Sequence, residues 1–262
     1  MKRRVTITAA LALLLTACGS ATDRAPADPK AALAASTSGL IAGDYAFTVA
    51  TPNTRFEGTV HRPSGTGELE ITTGTRTEFR QAGSDHWLRM GLDPATVDQE
   101  LEGIDLGDPR LKGFAAAVDQ MKKLLNGTTW VHHDPGKFRN ERRSPGLTGT
   151  DVTGAATLLS AVVAAQRDAD RITGTLDMAG AGETLGAYNT AGLDALGTVP
   201  FTARLDGEGR LVHLELTLPR VDHTPAGPWT FDVTGCGAQQ PVPAPAGAVE
   251  EMPDGVYALF SN

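Results

Sequence analysis

The adjacent pair His132-His133, followed by Asp134, has the side chains most typical of a metal site in this sequence. Imidazole and carboxylate groups are common zinc ligands. Neighbouring residues on a β-strand point to opposite faces, so both histidines could reach one ion only with a distorted backbone. No other Cys or His recurs at a spacing typical of zinc sites. We therefore expect a solvent-exposed strand end here and no metal.

Other motifs fall short of a catalytic pattern. The glycine-rich stretch Gly180–Gly186 lacks the spacing and the strand–helix context of a dinucleotide-binding turn, and is predicted to be a flexible loop. No serine lies in a Gly-x-Ser-x-Gly elbow. Cys236 has no basic neighbour in sequence that would favour the thiolate. The sequence thus predicts a protein that is not an enzyme and needs no cofactor; an envelope hydrolase is the alternative without a motif.

The first 18 residues have the layout of a secretory signal peptide that ends in a modifiable thiol. Three basic residues, Lys2 to Arg4, precede an apolar run, Val5–Leu15, of 11 residues. A membrane-spanning helix needs about 20. Leu15-Thr16-Ala17-Cys18 resembles the lipobox of bacterial lipoproteins. This resemblance implies attachment of a diacylglyceryl group to Cys18, cleavage before it and acylation of the new amino terminus; a secreted protein with an incidental cysteine is the alternative.

The charge and cysteine content limit the partners and the bonds of the mature chain. Removal of residues 1–17 takes away three of the 23 basic residues and none of the 31 acidic ones, which leaves 20 minus 31, or −11. This balance argues against nucleic acid and against electrostatic binding to anionic lipids. Once Cys18 carries lipid, Cys236 has no partner for an internal disulfide. A small basic segment, Arg139, Arg142 and Arg143, is either an exposed loop or a contact for a lipid phosphate or a partner.

The chain is predicted to form one α+β domain behind a short tether. The signal peptide spans 1–17, and a tether over 18–28 reaches at most about 35 Å. The domain spans 29–238, and a Pro/Ala-rich extension spans 239–262 and ends in an apolar segment that could dock on the domain. Asp-Pro pairs at Asp28, Asp93 and Asp108 predict helix starts.

Strands are predicted where apolar and polar residues alternate with period two. Such alternation recurs in five segments between Tyr45 and Met90, and again between Ile172 and Val233. Helical spacing predicts helices at Ala31–Leu40, Leu111–Leu125 and Asp151–Asp168. Helices inserted into an antiparallel series indicate a sheet with helices packed on one face.

This order of elements, downstream of a lipobox, resembles the LolA/LolB-like carrier fold and, more narrowly, actinobacterial lipoproteins of the LppX/LprAFG type. Residues 29–40, 45–90 and 172–233 carry the resemblance. It implies a strongly curved antiparallel sheet, a half-barrel, with helices covering its concave face. It also implies a lipid or lipoglycan ligand, anchorage on the extracytoplasmic face of the cell membrane, and a membrane transporter as a further partner.

The resemblance places an apolar cavity for acyl chains between the sheet and the helices. Small residues on the helices would widen such a space, and hydrocarbon rather than water would fill it. The candidate lining residues are Phe47, Leu88, Phe114, Met121, Leu159 and Val163. The alternative is that these residues pack into a filled core, and that the protein is a surface module that binds a protein or a cell-wall polymer.

Overall fold

Strands make up most of the computed structural model, which describes residues 28–138, 147, 149–179, 181, 193–220 and 225–260. Twelve strands lie in one sheet within these residues. They are β1 (Asp44–Ala50), β2 (Arg55–His61), β3 (Thr66–Thr72), β4 (Arg76–Ala82), β5 (Asp85–Met90), β6 (Trp130–His133), β7 (Val162–Asp168), β8 (Arg171–Asp177), β9 (Thr198–Leu205), β10 (Leu211–Leu218), β11 (Gly227–Thr234) and β12 (Val249–Glu251).

Six α-helices accompany the sheet in the described part of the chain, with short 3₁₀ turns between elements. They are α1 (Pro29–Ser36), α2 (Ser38–Ala42), α3 (Pro94–Glu100), α4 (Lys112–Leu124), α5 (Ala155–Ser160) and α6 (Asp254–Phe260). Asp28 and Asp93 accept hydrogen bonds from backbone N–H groups in the first turns of α1 and α3, and Asp108 does so for a 3₁₀ turn before α4. The three predicted helix starts are thus confirmed. None of these helices has the length and apolar character needed to cross a bilayer.

The sheet is open, with β12 and β7 at its two edges. Its strand order is β12-β6-β5-β4-β3-β2-β1-β11-β10-β9-β8-β7. Every neighbouring pair is antiparallel except β12 and β6, which run parallel. The α+β class and the large, mainly antiparallel, curved sheet are therefore confirmed.

One face of the sheet is apolar across most of its strands. A continuous row of directly paired residues illustrates this: Val131, Leu88, Phe79, Leu69, Gly58, Phe47 and Val233. Leu33 and Leu40 of the N-terminal helices and Leu158 and Leu159 of α5 join the same buried core. We call this apolar side the inner face and the opposite, charged side the outer face.

At two strand glycines, neighbouring groups of the inner face approach the backbone closely. A side chain at Gly58 would bring Cβ to 2.5 Å from the carbonyl oxygen of Glu68 and 2.7 Å from Cζ of Phe47. At Gly174, it would meet the carbonyl group of Ala164 and lie 2.8 Å from Cε1 of Phe201. Strand glycines permit such close approach of backbones, and the neighbouring aromatic rings fill the space above them.

The predicted helix Asp151–Asp168 is wrong over its second half. Helix α5 ends at Ser160, and residues 162–168 form the edge strand β7, paired with β8. The β-branched pair Val162-Val163 favours a strand. The turn into β8 places Ala169 at φ 55°, so the hairpin lacks the glycine that usually signals one.

The predicted first helix is also interrupted, at Thr37. The hydroxyl groups of Ser36 and Thr37 donate to the carbonyl oxygens of Leu33 and Ala34, and α2 then restarts at Ser38. Such local hydrogen bonds by serine and threonine often bend or end a helix.

The C-terminal segment completes one edge of the sheet. Strand β12 pairs with β6, and α6 packs against α4, with Gly255 close to Ala117. Val256 and Tyr257 are buried, and the Tyr257 hydroxyl accepts a hydrogen bond from the Asp134 N–H at 2.7 Å. The apolar segment at the end of the chain therefore docks on the domain as a helix.

The glycine contacts predict opposite effects for two alanine substitutions. Gly58→Ala should lower the free energy of unfolding by about 1–3 kcal/mol, because the added methyl group has no space on the inner face. Gly113→Ala, in α4 with open space around its Cα, should raise it by about 0.5–1 kcal/mol because alanine favours the helix. Urea denaturation measures both. Equal stability of the two variants would contradict the close packing around Gly58 described here.

Candidate functional site

The inner face is covered unevenly. On one side, α1 contacts β7 and α5, and α2 contacts β1. Residues of β8 to β11 beneath these helices, such as Ile172 and Leu214, are fully buried. The rings of Phe47 and Phe201, which lie over Gly58 and Gly174, belong to the same packed core.

The far end of the inner face, on β3 to β5, is less completely covered. Ile71, Thr77 and Met90 are directly paired neighbours of one row, and each is partly exposed. Leu92, after β5, and Met121, on α4, are partly exposed apolar residues that also pack against the core. The Leu92 N–H donates to the Leu125 carbonyl oxygen at the end of α4, which brings this helix end beside the end of β5. We call Ile71, Met90, Leu92 and Met121 the apolar opening.

The structure brings some of the predicted cavity residues together and separates others. Phe47, Leu88 and Leu159 lie in the buried core, and Met121 packs against it from α4. Phe114 is partly exposed on α4. Val163 lies on the edge strand β7 and is 49% exposed, because the helix that was predicted to carry it is a strand there. Acyl-chain binding by any of these residues remains a prediction.

A hollow lined by both apolar and polar residues lies between α1, α2 and α5. It has a volume of about 330 Å³ and is lined in part by Ala34, Ile41 and Leu159. Ile41 is 55% exposed, which makes it the most exposed large hydrophobic residue of the described chain. This hollow shares Leu159 with the predicted cavity, but none of its lining residues belongs to the apolar opening.

The outer face carries a polar cleft of about 370 Å³ over β2 to β4, which Trp130 of β6 also lines. Charged groups in and beside the cleft form a ladder across the strands. Arg76 and Glu70 pair at 2.7 Å, and Glu78 pairs with Arg89 of the neighbouring β5 at 2.7 Å. The hydrogen bonds from Arg89 lower the pKa of the Glu78 carboxyl group. The Arg89 guanidinium also lies 4.6 Å from the ring centre of Trp130, a distance typical of a cation–π contact.

The two adjacent histidines point to opposite faces, as the strand periodicity predicts. His132 lies on the outer face, where its Nδ1 is 2.9 Å from Glu251 and its Nε2 is 3.4 Å from Asp85. These carboxylates raise the pKa of His132. This contact ties β12 to the neighbouring strands.

The expectation of a solvent-exposed strand end is wrong for His133. Its side chain is 1% exposed on the inner face, because Phe138 packs edge-on against its ring at 5.6 Å between centroids. Burial lowers the pKa of His133 to about 4. Neither ring nitrogen has a hydrogen-bond partner within the described residues.

His86 is the functional candidate that sequence reasoning missed. Its ring centroid lies 5.8 Å from that of His133, and both residues face inward. The signal was present, since His86 shares the period-two face of Leu88 and Met90. Only the pairing of β5 with β6 shows that the two histidines meet.

The other residues that the sequence analysis considered do not form a metal or catalytic site within the described part of the chain. No group of three or more His, Cys, Asp or Glu side chains there could hold a metal ion. Cys236 is free, and burial raises the pKa of its thiol, which disfavours the thiolate. Cys18, the arginines of 139–143 and most of 180–186 lie outside the described residues.

The buried His133 predicts a specific dependence of stability on pH. The unfolded chain binds a proton at this residue with a pKa near 6.5, whereas the folded chain binds it only near pH 4, so stability is lost as the pH falls through this window. His133→Phe should therefore narrow the difference in unfolding free energy between pH 7 and pH 5 by about 2 kcal/mol. Urea titrations at both pH values test this.

A core substitution elsewhere provides the control for that experiment. Phe201→Leu, on β9, removes buried apolar volume without removing a titrating group, so its effect should be the same at both pH values. If His133→Phe also changes the free energy of unfolding by the same amount at pH 7 and at pH 5, this result would contradict a neutral imidazole in the folded protein.

Comparison with known proteins identifies similar folds among solved structures. No protein-family model matches the chain, and no curated protein matches it. The crystal structure of LprF from Mycobacterium bovis is similar, with 15% sequence identity and a TM-score of 0.43, over 84% of this chain and 97% of that one. The Mycobacterium tuberculosis lipoprotein LppX is similar with 16% identity and a TM-score of 0.40, over 78% of this chain and 92% of that one. Both are of the LppX/LprAFG type that the sequence resembles, and the likeness concerns the fold alone.

Proposed function

We propose that this protein is a membrane-anchored extracytoplasmic lipoprotein that binds the acyl chains of a lipid or lipoglycan between the sheet and the helices. The observation that carries the proposal is the apolar opening, where Ile71, Met90, Leu92 and Met121 remain partly exposed at the end of a continuous apolar face. The protein would hold or pass on its ligand and would catalyse no reaction.

The chemistry of the apolar opening suits hydrocarbon. Each methylene group removed from water contributes about 0.8 kcal/mol, so an acyl chain gains affinity with every carbon that it buries. Two of the four side chains are methionines, whose flexible thioethers adapt to ligands of different shape. Exposed apolar surface beside polar surroundings often marks a site of interaction.

The anchor of the proposed lipoprotein is Cys18. Residues 1–17 would be removed as a signal peptide, and residues 18–28 would tether the domain. Asp28 caps α1, so this helix would follow directly after the proposed tether. At most about 35 Å would then separate this helix from the lipid anchor, which keeps the domain beside the membrane that supplies its ligand.

A second candidate function follows from the polar cleft on the outer face. Its carboxylates, guanidinium groups and Trp130 could bind a polar polymer or a protein, as expected for a surface-binding module with a filled core. Most of these charges are already paired with each other across the strands, which lowers the energy available for a partner. We therefore place this candidate second.

Substitution in the apolar opening tests the first proposal. Met121→Gln keeps the length of the side chain but places an amide against the acyl chain, which should weaken the binding of a fluorescent fatty acid about tenfold. Lys123→Gln, exposed on the same helix, should leave binding unchanged. Fluorescence titration of the purified domain measures both, and the absence of binding by the unsubstituted protein would refute the proposal.

The two cysteines offer a matched test of the anchor. Cys18→Ser should abolish incorporation of labelled palmitate and release the protein from washed membranes, because the thioether needs a thiol and two or more chains give stable anchoring. Cys236→Ser removes the other thiol of the chain and should leave both labelling and attachment intact. Labelling that follows Cys236 instead of Cys18 would contradict the proposed lipidation.

A further inference from the structure

Helices α1, α2 and α5 and the start of β7 are almost free of charge. Neither residues 31–43 nor residues 152–166 include an Asp, Glu, Lys or Arg, and Lys30 is the one charged residue of the three helices. Charged residues make up 21% of the whole chain. Exposed surfaces of soluble proteins usually carry many charges of both signs, so this contrast calls for a physical explanation.

These elements lie side by side and are exposed. Helix α1 contacts both α5 and β7, and residues of α1, α2 and α5 line one hollow. Ile41, on α2, is 55% exposed and Val163, on β7, is 49% exposed, the two highest values among the large hydrophobic residues of the described chain. Asp151 borders the hollow, but its carboxylate accepts hydrogen bonds from backbone N–H groups of α5. We call the exposed part of residues 31–43 and 152–166 the uncharged surface.

The uncharged surface begins close to the proposed lipid anchor. Asp28 caps α1, and residues 18–28 would span at most about 35 Å between this helix and the membrane. Helix α1 is therefore the first described element after the proposed anchor. Lys30 lies in its first turn, where an ammonium group can meet the phosphates of lipid headgroups.

We propose that the uncharged surface rests on the membrane that holds the anchor, with Ile41 and Val163 in the interfacial layer of the lipid. The inference rests on the proposed function, because Cys18 must carry the anchor. Exposed apolar surface of this kind is typical of contacts with membranes or proteins. A surface without charges loses little hydration when it meets lipid, whereas the outer face would have to desolvate its carboxylates and guanidinium groups.

The edge strand β7 is poorly suited to a protein partner that would add a strand to the sheet. Its pairing with β8 is irregular between Val162 and Ala164, and the Lys30 ammonium lies 3.5 Å from the Val163 carbonyl oxygen. Bulges and lysines at an edge strand hinder pairing with another chain. The Val163 side chain is thus available for contact while pairing of its backbone is hindered, and contact with lipid requires only the side chain.

The anchor makes a weak contact sufficient. Two half-exposed aliphatic side chains bury too little apolar area to hold an acidic protein on a membrane by themselves. A short flexible tether, however, keeps the uncharged surface at an effective concentration in the millimolar range. We therefore expect the contact to fix the orientation of the anchored domain, while the anchor supplies the attachment.

Fluorescent probes at three exposed positions test this orientation. In full-length lipidated protein that carries Cys236→Ser, an NBD group is attached at Ile41→Cys, Val163→Cys or Val249→Cys, and the protein is reconstituted into vesicles of dioleoylphosphatidylcholine. Probes at positions 41 and 163 should emit at shorter wavelength than in the soluble Cys18→Ser form. Lipids with doxyl groups on their acyl chains should quench both probes.

Position 249 is the matched control. Val249 is 42% exposed and lies on β12, at the opposite edge of the sheet from β7. Its probe should keep the emission of the soluble form and should escape quenching. Equal quenching at all three positions would overturn the inference, as would probes at 41 and 163 that remain in water on attached protein, which would favour a protein as the occupant of this surface. Loss of vesicle attachment would instead refute the proposed anchor, and the inference with it.

A second pair of substitutions separates the surface from an effect of the probe itself. Ile41→Asp places a carboxylate on the uncharged surface, so quenching of the probe at position 163 should fall, because burial of a charge in lipid is unfavourable. Ile104→Asp, at a residue that is 42% exposed after α3, should leave this quenching unchanged. If Ile41→Asp has no effect either, the probe alone draws position 163 into the lipid, and the inference is overturned.

Discussion

The structure depends on the need to shield one large apolar face from water. Twelve paired strands present this face as a continuous surface, and burial of apolar area is the main favourable term in folding. Helices α1, α2 and α5 cover it over β1 and the strands towards β7. Over β3 to β5 the cover is incomplete at Ile71 and Met90. Burial of this apolar face stabilises the fold. Where its cover is incomplete, apolar surface remains to which a lipid could bind.

Because side chains alternate between the two faces of a strand, neighbouring residues can have a charged environment and an apolar one. On β6, His132 pairs with carboxylates on the outer face, while His133 is enclosed on the inner face. Their pKa values consequently move in opposite directions from the same starting value. On the outer face, charged side chains pair with each other across the strands. The inner face is mainly apolar, and His133 is buried on it.

Sequence periodicity predicted the elements that obey local rules. The five strands of 44–90 show period-two alternation, and the aspartate-capped helix starts are clear signals. Strand β7 was missed because alanines and leucines before it continue a helical pattern and its hairpin turn has alanine at positive φ. The inward positions of Phe47 and Leu88 follow from alternation, whereas Val163 was placed by a helical phase that the chain does not adopt.

The contacts that could not be predicted from the sequence join residues that are far apart in the chain. His132 and Glu251 are 119 residues apart, and their contact exists only because β12 joins β6 at the edge of the sheet. Helix α6 follows directly, and its Tyr257 packs edge-on against Phe138, which in turn covers His133. The end of the chain therefore encloses His133 on the inner face. This makes the burial of His133 a consequence of topology: neither the histidine pair nor the Pro/Ala-rich segment indicates it alone.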